Sequence, residues 1–185
     1  MGLPKILIEF KTLAETLIAR SERGIVAVIV KDNSNTTKTA AYTKESEIVK
    51  SHYTATNLAY LSLVFMGGPS KVIVERAQTA EDISDALERL KNKRWYYLAV
   101  PGLGDGETDT VVEYIKEQRT QYHKTFKAVL PLAAADNEGI INFATDNIKI
   151  GAKTYTTAEF CCRIAGILAG LPLNRSATYY TLPEI

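Results

Sequence analysis

Ile25–Val30 reads IVAVIV and is β-branched and apolar at every position except Ala27. A strand without polar alternation has both faces covered, as in a sheet with helices above and below it. Three further runs of this kind follow: Lys71–Glu75 (KVIVE), Tyr96–Val100 (YYLAV) and Phe126–Leu130 (FKAVL). Segments with helical spacing separate them. This alternation predicts an α/β domain, with a mostly parallel sheet of at least four strands and helices on both faces.

The intervening helices carry their own punctuation. The first runs from about Thr54 to Met66 and is stopped by Gly67, Gly68 and Pro69. The second begins at Thr79 with Asp82 in capping-box position, and its Ile83, Ala86, Leu87 and Leu90 form an i, i+3, i+4, i+7 stripe. The third covers about Thr108 to Tyr122 and buries Val111, Val112 and Ile115; Glu107 and Asp109 at its start suit the helix dipole. Later, Asn147–Ile150 and Lys153–Thr156 flank Gly151-Ala152, the order a type II′ hairpin turn requires.

The last fifth, Gly151–Ile185, holds a small hairpin, one long packed helix and an extended tail. Thr156 and Glu159 have capping-box spacing, and the helix runs from about Thr157 to Ala169. Gly170 in a left-handed conformation, followed by Pro172, is the expected stop. Phe160, Ile164, Ile167, Leu168 and Leu171 form an apolar face. Cys162, Gly166 and Gly170 recur every four residues on another flank, where small side chains let a second backbone approach closely.

At the other end, Lys5–Lys11 alternates: Ile6, Ile8 and Phe10 lie on one side of an extended strand, with Lys5, Glu9 and Lys11 on the other. This is either an edge strand of the domain or a strand lent to a neighbouring molecule. Thr12–Arg23 is equally open between a helical turn and more arm. Lys31–Tyr53 is a long polar stretch without apolar periodicity, expected as a surface loop or as a contact segment in an assembly.

Composition narrows the function. A chain of 185 residues with 46% hydrophobic and 23% charged residues is suited to one globular domain. A formal net charge of +1 gives no general attraction to nucleic acid or to an anionic membrane. No apolar run reaches the length of a membrane span, and the start lacks the pattern of a signal peptide, so the protein is expected to be made and kept in the cytosol. Cys161 and Cys162 are neighbours on a helix, where consecutive side chains diverge by about 100°, which excludes a disulfide framework.

Catalytic and cofactor motifs are weak. Gly102, Gly104 and Gly106 form a GxGxG run, but Asp105, Glu107 and Asp109 crowd the place where a phosphate would rest. Those carboxylates read better as helix capping than as a Mg²⁺ or acid–base cluster. Gly67-Gly-Pro-Ser-Lys71 is too short for a phosphate loop and enters a strand. His52 and His123 have no Cys, His or acidic partner at ligand spacing, there is no G-x-S-x-G elbow, and Cys161-Cys162 fits no metal motif. Tyr179-Tyr180 could stack on a base only beside a basic groove, which is lacking. We expect no catalytic residues, no metal and no cofactor.

Against this background one resemblance is specific. Ala165–Tyr180 (AGILAGLPLNRSATYY), with Glu138–Phe160 before it, resembles the contractile tail sheath family of bacteriophages and of phage-tail-like bacteriocins from Gram-positive bacteria. The resemblance extends to Gly2–Asp32, Gly67–Arg76 and His123–Pro131. It implies a structural subunit that forms helically stacked hexameric rings around an inner tube and contracts by rigid-body rearrangement. The implied partners are other sheath subunits, the tail tube protein and the baseplate, with no nucleic acid, membrane or small-molecule substrate. The implied organisation is an arm (residues 1–23), with Ile6, Ile8 and Phe10 as its interacting side chains, a core (24–172), and an extended segment (173–185) leading to a C-terminal domain. Without that domain, the fragment is expected to be monomeric or weakly associated. Two other readings stay open: a flavodoxin-like α/β enzyme or nucleotide-binding protein, and a different baseplate or tube-associated structural protein.

Overall fold

The computed structural model describes residues 24–78, 81–104, 106–172 and 174–182. The proposed arm, including Ile6, Ile8 and Phe10, lies outside the described residues, as do Thr79 and Asp105.

Strand β1 (Ile25–Lys31) is central, and the apolar run predicted from sequence forms its length. It pairs in parallel with β3 (Lys71–Ala77) on one side and β4 (Tyr97–Ala99) on the other, with Val26 opposite both Val72 and Tyr97. Strand β5 (Lys127–Pro131) extends the sheet beyond β4, and β6 (Ile140–Phe143) follows, both in parallel. At the opposite edge β2 (Thr39–Tyr42) runs antiparallel to β3. The six-stranded order is β2-β3-β1-β4-β5-β6. The separate hairpin β7 (Ile148–Ile150) and β8 (Lys153–Tyr155) turns at Gly151, whose φ of 59° suits the first position of the expected II′ turn.

Among the described residues, four helices cover the sheet. Helices α1 (Ala55–Phe65) and α4 (Thr157–Gly170) pack on the face of Val26, Val28 and Val30. Helices α2 (Ile83–Leu90) and α3 (Glu107–Thr120) pack on the face of Ala27 and Ile29. The alternation of β1 therefore divides one strand between two cores, and both are apolar because helices close both sides.

Three expectations need correction. Asp82 does not act as the third residue of a capping box; it is itself the cap of α2, accepting from the Ser84 N–H. Gly170 does not adopt the left-handed conformation: α4 stays helical to Gly170 and stops at Leu171, which is extended before Pro172. Thirdly, Lys31–Tyr53 is not a bare loop, because it contains β2 and single 3₁₀ turns at Glu45–Glu47 and Lys50–His52. Four residues are too few to show a period, so this strand is specified by its ladder to β3 and not by local pattern.

The expected close approach on the small flank of α4 is present. A Cβ on Gly166 would overlap the backbone of Val64, and one on Gly170 would overlap the backbone of Gly67 and Gly68. The capping box of Thr156 and Glu159 also forms as predicted, with both reciprocal bonds in place.

Candidate functional site

The parallel strands progress in one direction from β1 to β3 and in the other from β1 through β4, β5 and β6. A crevice at such a switch point, beyond the strands' carboxyl ends, is where open α/β sheets take ligands. Here it lies between the end of β1 at Lys31 and the turn after β4 that carries Gly102 and Gly104.

The protein's own side chains occupy this position. Lys31 Nζ donates to Glu107 Oε2 at 2.7 Å, and the Gly104 N–H donates to the same oxygen. Gly106, with φ of 80°, turns the chain so that Glu107 opens α3. Burial would raise the Glu107 pKa, but the Lys31 ammonium and the Gly104 N–H hold it below the usual carboxylate value. A carboxylate therefore stands where an incoming phosphate would have to stand, and the helix terminus is already matched.

Next to this crevice, three buried charged residues fasten the 32–54 insertion to the sheet. Asp32 accepts from the Ser34 N–H at 2.7 Å, the Thr54 N–H at 2.9 Å and Asn57 Nδ2 at 2.7 Å, so one carboxylate ties both ends of the insertion together. Burial pushes its pKa up, but the hydrogen bonds from Asn57, Thr54 and Ser34 prevail and lower it to about 2. Glu75 is fully buried, bonded by Thr39 Oγ1, by Arg89 Nε at 3.0 Å and by Lys93 Nζ. Arg76, 2% exposed, donates to the carbonyls of Thr37 and His52 and lies 4.7 Å from the Tyr53 ring. These residues clamp a segment to the body; none is aimed at a reacting group.

The remaining candidates are dispersed. His52 sits near the carboxyl end of β3 through its carbonyl bond to Arg76, whereas His123 precedes β5 at the amino end of the sheet. His123 lines a cleft of about 460 Å³ with Trp95, Lys124 and Phe126, and a second groove of about 470 Å³ lies between α2 and α3; neither is at the switch point. Among the described residues no group of three or more His, Cys, Asp or Glu is placed to hold a metal. Cys161 and Cys162 are buried free thiols, with burial raising Cys161 to about 12 and Cys162 well above its ordinary value. Sequence reading identified the crowded Gly-rich turn but missed Asp32, Glu75 and Arg76. Their charge within apolar strand ends was the available signal, since buried charges need partners.

Comparison with known proteins agrees with this geometry. Residues 76–183 match the phage tail sheath protein central domain. A tail sheath protein of Clostridium phage phiCD119 is 36% identical over the whole chain, which spans about half (53%) of that relative's length. A sheath tail protein from Desulfitobacterium hafniense shares the fold with a TM-score of 0.71 at 14% identity, covering 93% of this chain and 64% of that one. One from Listeria innocua gives 0.72 at 13% identity, covering 87% and 61%. The anti-feeding prophage helical sheath in its contracted state gives 0.53 at 12% identity, covering 91% and 52%. With more than half of its residues inside the family's central domain, the chain belongs to the phage tail sheath protein family.

Proposed function

We propose that this chain is the amino-terminal part of a contractile sheath subunit. In the assembly, subunits form hexameric rings stacked helically around an inner tube. Contraction is a rigid-body rearrangement of such subunits, joined by extended segments. Residues 1–23 act as an arm, with Ile6, Ile8 and Phe10 the side chains it offers to a neighbouring sheet edge. Residues 24–172 are the body, and 173–185 lead onward. The partners are other sheath subunits, the tube protein and the baseplate, in a virion tail or a phage-tail-like particle assembled in the host cytoplasm. No catalysis, cofactor or nucleic acid is involved.

The observation that carries this reading is the match of residues 76–183 to the sheath central domain. Two features of the body support it. The switch-point crevice is filled by the Lys31–Glu107 pair, and the long insertion is clamped by Asp32, Glu75 and Arg76, which suits a domain that moves as a unit. The test is sedimentation of a form extended by a C-terminal domain, with and without Ile6→Asp, Ile8→Asp and Phe10→Asp together. Large particles that revert to single subunits in the triple variant are expected; particles unaffected by it would remove the arm from the account.

A second reading retains one specific observation. Counting only the parallel strands, the order is 2-1-3-4-5, that of the flavodoxin-like sheets. A nucleotide-binding protein on this frame would have to displace Glu107 from Lys31. Isothermal titration with flavin mononucleotide and with inorganic phosphate tests it, and we expect no heat of binding.

A further inference from the structure

The hairpin of β7 and β8 stands apart from the six-stranded sheet and carries charge of one sign. From Asn147 to Ala158 the charged residues are Lys149 and Lys153, and both are exposed. Lys149 opposes Thr154 and Lys153 opposes Ile150 in the ladder, so one lysine stands on each face of the hairpin. Lys153 Nζ lies 4.4 Å from the Tyr155 ring, and among the described residues neither lysine has an ion-pair partner.

The opposite sign is gathered elsewhere. Helices α2 and α3 leave between them a groove of about 470 Å³, lined by Glu88, Glu113 and Glu117 together with Ser84, Tyr114 and Gln121. Glu88 pairs with Lys91 at 3.2 Å, whereas Glu113 and Glu117 have no ion-pair partner among the described residues. Like charges along one groove repel, and a cation entering from outside relieves them. The groove also holds an unused polar atom: Tyr114 Oη is buried and has no hydrogen-bond partner. Burial raises the Tyr114 pKa and the Glu88 and Glu117 charges add to it, so the phenol keeps its proton and can still donate.

Hairpin and groove lie on opposite faces of the sheet. Ile148, Ile150 and Tyr155 of the hairpin pack into the core beneath α1 and α4, while α2 and α3 cover the other core. The sheet therefore keeps a chain's own hairpin from its own groove. A formal net charge of +1 gives whole molecules no reason to attract one another, so any attraction comes from this arrangement of charge. We propose that the hairpin of one copy of this chain docks in the groove between α2 and α3 of the next, with Lys149 and Lys153 set against Glu113 and Glu117. Such a contact joins different patches on the two copies, so it is heterologous and propagates into a ring or a helical stack. Its place in a larger assembly rests on the sheath reading, to which it adds a contact between bodies.

The test is sedimentation velocity of the full chain at low salt and high protein concentration. Four samples are compared: wild type, Lys149→Glu with Lys153→Glu, Glu113→Lys with Glu117→Lys, and the two variants mixed in equal amounts. Wild type is expected to associate weakly and to dissociate as salt screens the contact. Each reversed pair should weaken association by about tenfold or more, because like charges then face each other. The mixture should regain wild-type association, since each variant offers the other an opposite charge, and that recovery shows both to be folded. Should a reversed variant fail to fold, the corresponding Gln variants replace it and must weaken association in the same direction. A wild type that stays monomeric, association indifferent to both reversals, or a mixture no better than its components overturns the proposal. The same substitutions in a form extended by a C-terminal domain separate this contact from the sheath reading. Particles that persist in both variants overturn the contact and leave the sheath standing. Association of this chain restored on mixing, with no particles from the extended wild type, keeps the contact and removes the sheath.

Discussion

Gly166 in α4 lies directly against Val64 in α1, so close that any Cβ at position 166 would overlap the Val64 carbonyl oxygen. The two helices meet backbone to backbone because Gly166 has no side chain to hold them apart, and Gly170 does the same against Gly67 and Gly68 just beyond α1. Gly67 completes the contact from the end of α1, where its own Cβ would overlap the backbone of Gly166 and Ile167.

Gly166→Ala therefore forces the helices apart. Added atoms in a packed interior cost about 1–3 kcal/mol, and overlap with backbone places this site at the upper end. Urea unfolding should show a loss of about 2–3 kcal/mol for Gly166→Ala. Gly151→Ala, where nothing lies within 4 Å, should lose less and only through its positive φ. Equal losses at the two sites would contradict the packing argument.

Glu75 holds two cations and a hydroxyl inside the sheet edge. Glu75→Ala leaves Arg89 and Lys93 without their shared carboxylate, and breaking a buried pair on one side costs about 3–5 kcal/mol. Both cations are partly exposed and recover some solvation, so we expect about 3 kcal/mol by chemical denaturation. A loss below about 1 kcal/mol, the range of surface pairs, would show that the cluster is not a clamp.

Asp32 makes stability depend on pH in one direction. Its pKa falls from an ordinary 3.8 to about 2 in the folded protein. A depressed carboxylate contributes stability that is fully present above the unfolded value and is lost as pH falls through the folded one. The shift corresponds to about 2 kcal/mol. Asp32→Asn should thus be destabilised at neutral pH, and thermal melts should show the gap to wild type closing between about pH 4 and pH 2. A gap independent of pH across that window would assign the effect to lost geometry instead of charge.

Cys161 and Cys162 should be chemically silent in the folded state. The reactive species is the thiolate, and burial raises both thiols far above neutral pH. Labelling with a thiol-reactive chromophore is expected to follow the opening rate of α4, accelerating with added denaturant. Rapid labelling of either thiol in buffer would mean that this flank of the helix is accessible.

The sequence made the framework legible where local pattern and tertiary role coincide. IVAVIV predicted a strand covered on both sides because helices do cover it, and Thr156 with Glu159 predicted a helix start because the cap is a local bond. Legibility ended where the cause is distant. Strand β2 exists through its ladder to β3, more than thirty residues later, and four residues of TAAY carry no signal of that. Asp32 meets Thr54 and Asn57 across 22 and 25 residues, again beyond the reach of a local pattern. Gly170 was legible for two reasons, of which one holds: it is small for the approach of Gly67 and Gly68, but it makes no left-handed turn. The switch point was read as crowded by acid, and the structure adds the cation that makes the crowding stable, Lys31.

Assembly of the subunit can be seen by negative-stain electron microscopy. This chain and a form extended by a C-terminal domain would be imaged at matched concentrations, each with and without the tube protein. The account predicts rings or hollow helical tubes from the extended form and single particles from this chain. Absence of any ordered assembly from the extended form with tube protein present would contradict it.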